Sequence, residues 1–242
     1  MKRVFLLLFI FSSFLFSITM YPLIETISNL KKRQIVFKVS NPTERTVAAD
    51  FSIKFLVDTN GKKEKRIETQ KVMAYPSQFV LKPKESKKIR VRYMGSVLPD
   101  VEEVYRIIAH ELNIDVSDKM QKTTTNKVEG QIKMRFTYEG LLFVHKPKAK
   151  ANLKIKTFEI LDTNSIKLTI NNIGQASIVP NYNFYNFIIT IDNKEYLLTE
   201  KNLKDTKFKR ILAGKENILI LKNIKLPQGK LNTVRLEKKD KK

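Results

Sequence analysis

The chain has 242 residues, 42% of them hydrophobic and 29% charged, a formal net charge of +22 and no cysteine. Such a length holds one large domain or two of roughly 100 residues, and the composition is globular rather than fibrous or low-complexity. Without cysteine there are no disulfides, thiol chemistry or thiolate metal sites, so the fold must rest on core burial.

The opening "MKRVFLLLFIFSSFLFS" joins Lys2 and Arg3 to an apolar run and a small residue at Ser17. These are the parts of a secretory signal peptide over residues 1–17, with cleavage expected after Ser17 and Thr19 as second choice. An uncleaved anchor is the alternative, because Ile18 to Met20 bring the run near the roughly 20 residues that span a bilayer. No later stretch is apolar enough to span, so the reading is of an exported protein with no membrane insertion after cleavage. Of the 46 basic residues 36 are lysine and 10 arginine. A solvated lysine-rich surface explains this better than nucleic-acid recognition, which leans on arginine forks and which export disfavours. The closing "LEKKDKK" reads as a frayed tail.

Strand signatures then follow one another. "RQIVFKVS" (33–40) is rich in β-branched and aromatic residues and stops at Asn41-Pro42. "TVAADFSIKFLV" (46–57) resumes and runs to an Asn60-Gly61 turn. "SQFVLKP", "KKIRVRYMG" and "VYRIIAHEL" come next, followed by polar "NIDVSDKMQKTTTNK", read as a mobile loop. In "QIKMRFTYEGLLFVHKP" (131–147), Ile132, Met134, Phe136 and Tyr138 alternate with Gln131, Lys133, Arg135 and Thr137, a strand with one apolar edge whose stripe reaches back to Val128. Seven or so short strands without a convincing helix predict a β-sandwich of immunoglobulin type. After the basic linker "KPKAKAN" the pattern restarts: "LKIKTFEIL" and "SIKLTINN" flank a turn, "NFIITI" and "EYLLTE" flank Asp192-Asn193-Lys194, and "NILILKNIKL" and "NTVRLE" close the chain. The expected organisation is all-β, with a first sandwich over 18–147 and a second over 148–242.

Catalytic chemistry is not legible. The two histidines, His110 and His145, fall on different predicted strands without a carboxylate cluster at ligand spacing. There is no Gly-x-Ser-x-Gly elbow and no phosphate-cradling glycine loop. Glu102 and Glu103 are adjacent on a strand and point opposite ways, so they cannot flank one bond. The expectation is a non-enzyme without metal or cofactor.

"YPSQFVLKPKESKKIRVRYMG", "VEEVYRIIAHEL" and "GQIKMRFTYEGLLFVHKP", in that order and spacing, resemble the first domain of the PapD-like periplasmic pilus chaperones, with the nearest likeness in the archaic chaperone-usher branch. Tyr105, Arg106, Glu111 and Leu112 stand where that branch has its strand F pattern, and Phe143, Val144 and Pro147 where it ends strand G. "LTINNIGQASI" (168–178) extends the likeness loosely into the second half.

The resemblance implies a boomerang of two immunoglobulin-like domains. Such a protein lends strand G to a pilus subunit that lacks its last strand and passes the subunit to an outer-membrane usher. The stripe Val128, Ile132, Met134, Phe136 and Tyr138 is then the donor, by β-strand addition, rather than a face turned to the chain's own core. Burying three such side chains is worth about 1.5–3 kcal/mol each against an association cost of about 4–15 kcal/mol, so a second anchor is needed. Better-known members grip the subunit's terminal carboxylate with an arginine in strand A and a lysine in strand G. Here "MYPLIETI" has no basic residue and Leu142 takes the lysine's place. The expected substitutes are Arg106 first and Arg92 second, with a structural ion pair the competing role for Arg106. Glu139-Gly140 suggests a bulge. Glu102 and Lys146 match two members of an ion network that sets the angle between domains, with Lys in place of the usual Arg.

Three other readings stay open: an exported two-domain adhesin or ligand-binding protein, a self-polymerising fibre subunit, and an envelope protein held by lysines to anionic surfaces. Self-association of the free protein is a further way to hide the stripe.

Overall fold

The computed structural model describes residues 18–113, 135–225 and 227–239. The expected signal peptide and the donor residues Val128, Ile132 and Met134 lie outside them.

Sixteen strands dominate the described residues. They are β1 (Thr19–Tyr21), β2 (Ile24–Ile27), β3 (Gln34–Ser40), β4 (Val47–Asp58), β5 (Lys65–Glu68), β6 (Val72–Tyr75), β7 (Gln78–Leu81), β8 (Ser86–Tyr93), β9 (Glu103–Glu111) and β10 (Thr137–Val144). The second half adds β11 (Leu153–Asp162), β12 (Ser165–Asn172), β13 (Tyr185–Ile191), β14 (Lys194–Leu198), β15 (Glu216–Leu221) and β16 (Leu231–Lys238). One 3-10 turn (Leu30–Lys32) and one short helix, α1 (Glu200–Leu203), complete the described elements.

By internal contacts the chain divides into two units, neither a single stretch: one holds residues up to Lys54, Glu68–Ser96 and Tyr105–Leu142, the other Phe55–Ile67, Val97–Val104 and Phe143–Lys242. In the first, a four-stranded sheet in the order β1-β3-β8-β6 faces strands of a six-stranded sheet ordered β2-β10-β9-β4-β5, with β7 also on β4. Alternation drives the layering. On β8, Ile89, Val91 and Tyr93 are buried while Lys88, Arg90 and Arg92 are exposed. On β3, Phe37 and Val39 point inward, and the Phe37 ring meets Phe51 of β4, from the other sheet, at a centroid distance of 5.9 Å. The Asn41-Pro42 stop is a buried polar knot: Asn41 Nδ2 donates to the carbonyls of Arg45, Leu81 and Lys82 at 2.7, 3.2 and 3.0 Å, and its Oδ1 accepts from Thr43.

The second unit contains two three-stranded sheets, β11-β12-β15 and β14-β13-β16. Ile166, Leu168 and Ile170 of β12 and Tyr185, Phe187, Ile189 and Ile191 of β13 belong to one core cluster. The β13–β14 hairpin turns through Asp192 and Asn193, at φ of 45° and 62°, the left-handed geometry that a two-residue hairpin requires and that Asp and Asn tolerate.

Asn172 organises the end of β12 and is fully buried. Its Nδ2 donates to the carbonyls of Ala176 (2.8 Å) and Ile211 (3.3 Å), and its Oδ1 accepts from the backbone N–H groups of Asn152 and Gly174, each at 3.1 Å. Gly174 fits only because it lacks a Cβ, which would stand 2.4 Å from the Asn152 nitrogen and the Lys150 carbonyl oxygen.

Candidate functional site

The apolar stripe enters the described residues at its C-terminal end. Phe136 and Tyr138 are half-buried while Arg135, Thr137 and Glu139 are exposed, so the period of two persists to this point. Beyond Gly140 the alternation stops: Leu142, Phe143 and Val144 are all buried, with both faces of the strand covered. Leu142, the last residue of the first unit, is therefore a core residue, and Phe143 and Val144, which belong to the second, are buried as well.

Strand β10 lies between β9 and β2, and β2 is the edge of the sheet. The β9 side is paired back as far as the stripe, since Glu111 N donates to the Phe136 carbonyl at 3.2 Å. On the other side β2 has four residues against the eight of β10, and Leu141 N donates to the Leu23 carbonyl at 2.8 Å. Gly140 makes the crossing possible: a Cβ there would lie 2.6 Å from the Leu23 carbonyl oxygen.

The two carboxylate-anchor candidates stand on different sheets. Arg106, on β9, is about one-fifth exposed, and its Nε lies 4.0 Å from Glu139 Oε2 of β10. Arg92, on β8, is exposed and lines a hollow of about 590 Å³ with Leu30, Lys31, Lys32, Arg33 and Gln34. The basic run Lys31-Lys32-Arg33 is the signal that sequence reasoning passed over. It is visible as a run, but only the register of Gln34 opposite Arg92 carries it next to β8.

Glu102 and Lys146 take other partners. Lys146 Nζ pairs with Asp100, and Glu102 Oε1 accepts from the Ser177 backbone N–H at 2.8 Å. Glu102 Oε2 lies 3.9 Å from His145 Nε2, whose Nδ1 donates to the Lys146 carbonyl at 2.8 Å. The same corner of the second unit holds Arg210, which donates to Ser177 Oγ at 3.1 Å and stacks 4.7 Å above the Phe143 ring. Arg210 thus brings a cation to Ser177, whose backbone N–H holds Glu102. The other histidine, His110, has Nδ1 2.8 Å from Thr137 Oγ1. Among the described residues no group of three or more His, Cys, Asp or Glu could hold a metal ion.

Solved structures with the same fold cover most of this chain. A chain from the chaperone–tip adhesin complex of CFA/I fimbriae biogenesis matches with a TM-score of 0.58 at 15% identity, over 91% of this chain and 94% of that one. A chain of the CsuC–CsuE chaperone–tip adhesion subunit pre-assembly complex, from the archaic chaperone-usher Csu pili of Acinetobacter baumannii, gives 0.54 at 13% identity, over 83% and 88%. One from the Salmonella enterica complex of SafA pilin with the SafB chaperone gives 0.52 at 13%, over 94% and 98%. These likenesses establish two immunoglobulin-like β-sandwich domains. No curated protein matches the sequence significantly. Residues 25–150, just over half of the chain and the whole region that carries the stripe and both anchor candidates, match the family model of pili and flagellar-assembly chaperones, PapD N-terminal domain; the chain belongs to that family.

Proposed function

We propose that the protein is a periplasmic chaperone of the archaic chaperone-usher branch. It captures a pilus or fimbrial subunit by lending it the stripe of Val128, Ile132, Met134, Phe136 and Tyr138, and delivers the subunit to an outer-membrane usher. Residues 18–147 form the capturing domain, and 148–242 the second. The observation that carries this reading is the division within β10. Its end is buried from Leu142 to Val144, its alternating part carries half-buried Phe136 and Tyr138, and on the side away from β9 its neighbour is the four-residue edge strand β2. A strand so placed is held at one end and open to β-strand addition along the other, where main-chain pairing supplies affinity and alternate side chains enter the partner. Similarity to chains from chaperone–subunit complexes supports the same reading.

The test is to isolate the mature protein from its native periplasm in high salt and weigh it by native mass spectrometry, beside Phe136→Asp. The expected result is a one-to-one complex with a small exported β-rich protein for the wild type and a folded, bare variant. Retained capture by Phe136→Asp would refute the donor assignment. A bare wild-type protein from fibre-making cells would favour the adhesin or ligand-binding alternative.

A further inference from the structure

The outward face of the sheet β1-β3-β8-β6 is a second surface with a definite chemistry. Register places its exposed side chains in rows across the strands. Arg92 sits between Gln34 and Met73, Arg90 between Val36 and Tyr75, and Lys38 between Tyr21 and Lys88. All nine are exposed. Four are cations, and none of these four pairs with a carboxylate among the described residues. No carboxylate stands at an outward position of the four strands. The apolar and aromatic members occupy mainly the two edge strands: Tyr21 on β1 is 76% exposed, Tyr75 and Met73 on β6 are 74% and 57% exposed. The hollow lined by Lys31, Lys32 and Arg33 continues the positive field beyond Arg92.

We propose that this face docks the protein on anionic lipid headgroups at a membrane surface. Four strands set about 4.8 Å apart present an open plane roughly 14 Å across, the shape of a membrane surface rather than of a cleft for a peptide. Cations in the middle meet lipid phosphates, while tyrosines and a methionine at the margins reach headgroup depth with an apolar body and, for tyrosine, a polar tip. A second copy of the chain does not suit the face, because both partners would bring the same unmatched positive charge, on a chain of net charge +22. The inference is independent of the donor strand, since none of these residues lies on β10.

Vesicles of phosphatidylglycerol in phosphatidylcholine, sedimented with the whole protein at physiological salt, test it. Each cation near such a surface contributes about fivefold in affinity. The variant Lys38→Gln/Lys88→Gln/Arg90→Gln should therefore lose roughly 100-fold, while Lys154→Gln/Lys194→Gln/Lys230→Gln, which removes as many exposed cations from the second unit, should bind nearly as the wild type. Tyr21→Ser/Tyr75→Ser should bind several-fold more weakly with an unchanged salt slope. Circular dichroism should show all variants folded. Equal loss in both triple variants, no sedimentation of the wild type, or unchanged binding by the tyrosine pair would overturn the proposal. So would tighter binding to polyglutamate than to the vesicles at the same salt, which would make the face a site for an acidic protein instead.

Discussion

Asn172→Ala measures how far one side chain holds the second unit together. The wild-type amide makes four hydrogen bonds at full burial, two as donor and two as acceptor, and joins three segments: 150–152, 172–176 and Ile211. The substitution strands the N–H groups of Asn152 and Gly174 and takes a donor from the Ala176 carbonyl, while the Ile211 carbonyl keeps the Ile178 N–H, in a site where Gly174 already presses on the Lys150–Asn152 backbone. At about 0.5–1.5 kcal/mol net for each bond, and more where a buried group is left unsatisfied, the loss comes to about 4 kcal/mol. Guanidinium unfolding followed by tyrosine fluorescence, which the absence of tryptophan leaves uncontaminated, should show the second unit's midpoint falling by roughly 1 M. Asn171→Ala is the control, because Asn171 points to the opposite face of the strand from Asn172 and is only half-buried. A loss below about 1 kcal/mol for Asn172→Ala, or an equal loss for the control, would refute the view that the amide is a structural hub.

Gly140→Ala should destabilise the first unit by about 1–3 kcal/mol, since the new methyl must push the Leu23 carbonyl away from β10; thermal unfolding reads it, and an unchanged midpoint would mean that β2 shifts freely. Arg45→Ala should cost about 1.5–3 kcal/mol, because it removes the 2.6 Å bond to the carboxylate of Glu111, which is buried and has its other oxygen without a hydrogen-bond partner; denaturant titration checks it. Glu139→Gln should tighten subunit binding several-fold in calorimetry if Arg106 grips a carboxylate, and leave it unchanged if Arg106 serves only the pair with Glu139.

Strands that alternate over six or more residues were legible, because burial of one sheet face writes a period of two into the sequence: β3, β4, β8, β12 and β13 fall where that pattern lies. The Asp192-Asn193 turn was legible because few residues adopt left-handed backbone. What escaped is short or set by partners. β1 and β2 have three and four residues, and each is defined by its pairing, with β3 and with β10. The charged "KRIE" of β5 carries no strand signal of its own. "EYLLTE" read as strand to its end, yet β14 stops at Leu198 and α1 begins at Glu200, with Thr199 N held by Asn202 Oδ1 at 2.9 Å. Likewise "NILILKNIKL" ends as strand at Leu221. At the site, the alternation through Phe136 and Tyr138 was readable, whereas Asp100 as the partner of Lys146 was not, because pairing across 46 residues is a property of the fold.

The place of Leu142 constrains how this chain can hold a subunit's terminal carboxylate. A fully buried leucine on a strand end with both faces covered leaves no room there for an ammonium group reaching toward a partner. A cation must then come from a neighbouring strand. Arg106 is next to β10 but already has a carboxylate, Glu139, within 4.0 Å. A second carboxylate arriving there shares one guanidinium with the first, and the repulsion between the two acids offsets part of the attraction. Arg106 can therefore anchor a subunit only if Glu139 turns away or the incoming group displaces it. Arg92 meets the opposite situation: its hollow is lined by three further cations and no acid, but it lies on the other sheet from the stripe. The choice between them is a choice between proximity to the donor strand and an unopposed positive field, and a charge reversal at Glu139 separates the two, because Glu139→Lys adds a cation beside the stripe and leaves the Arg92 hollow unaltered.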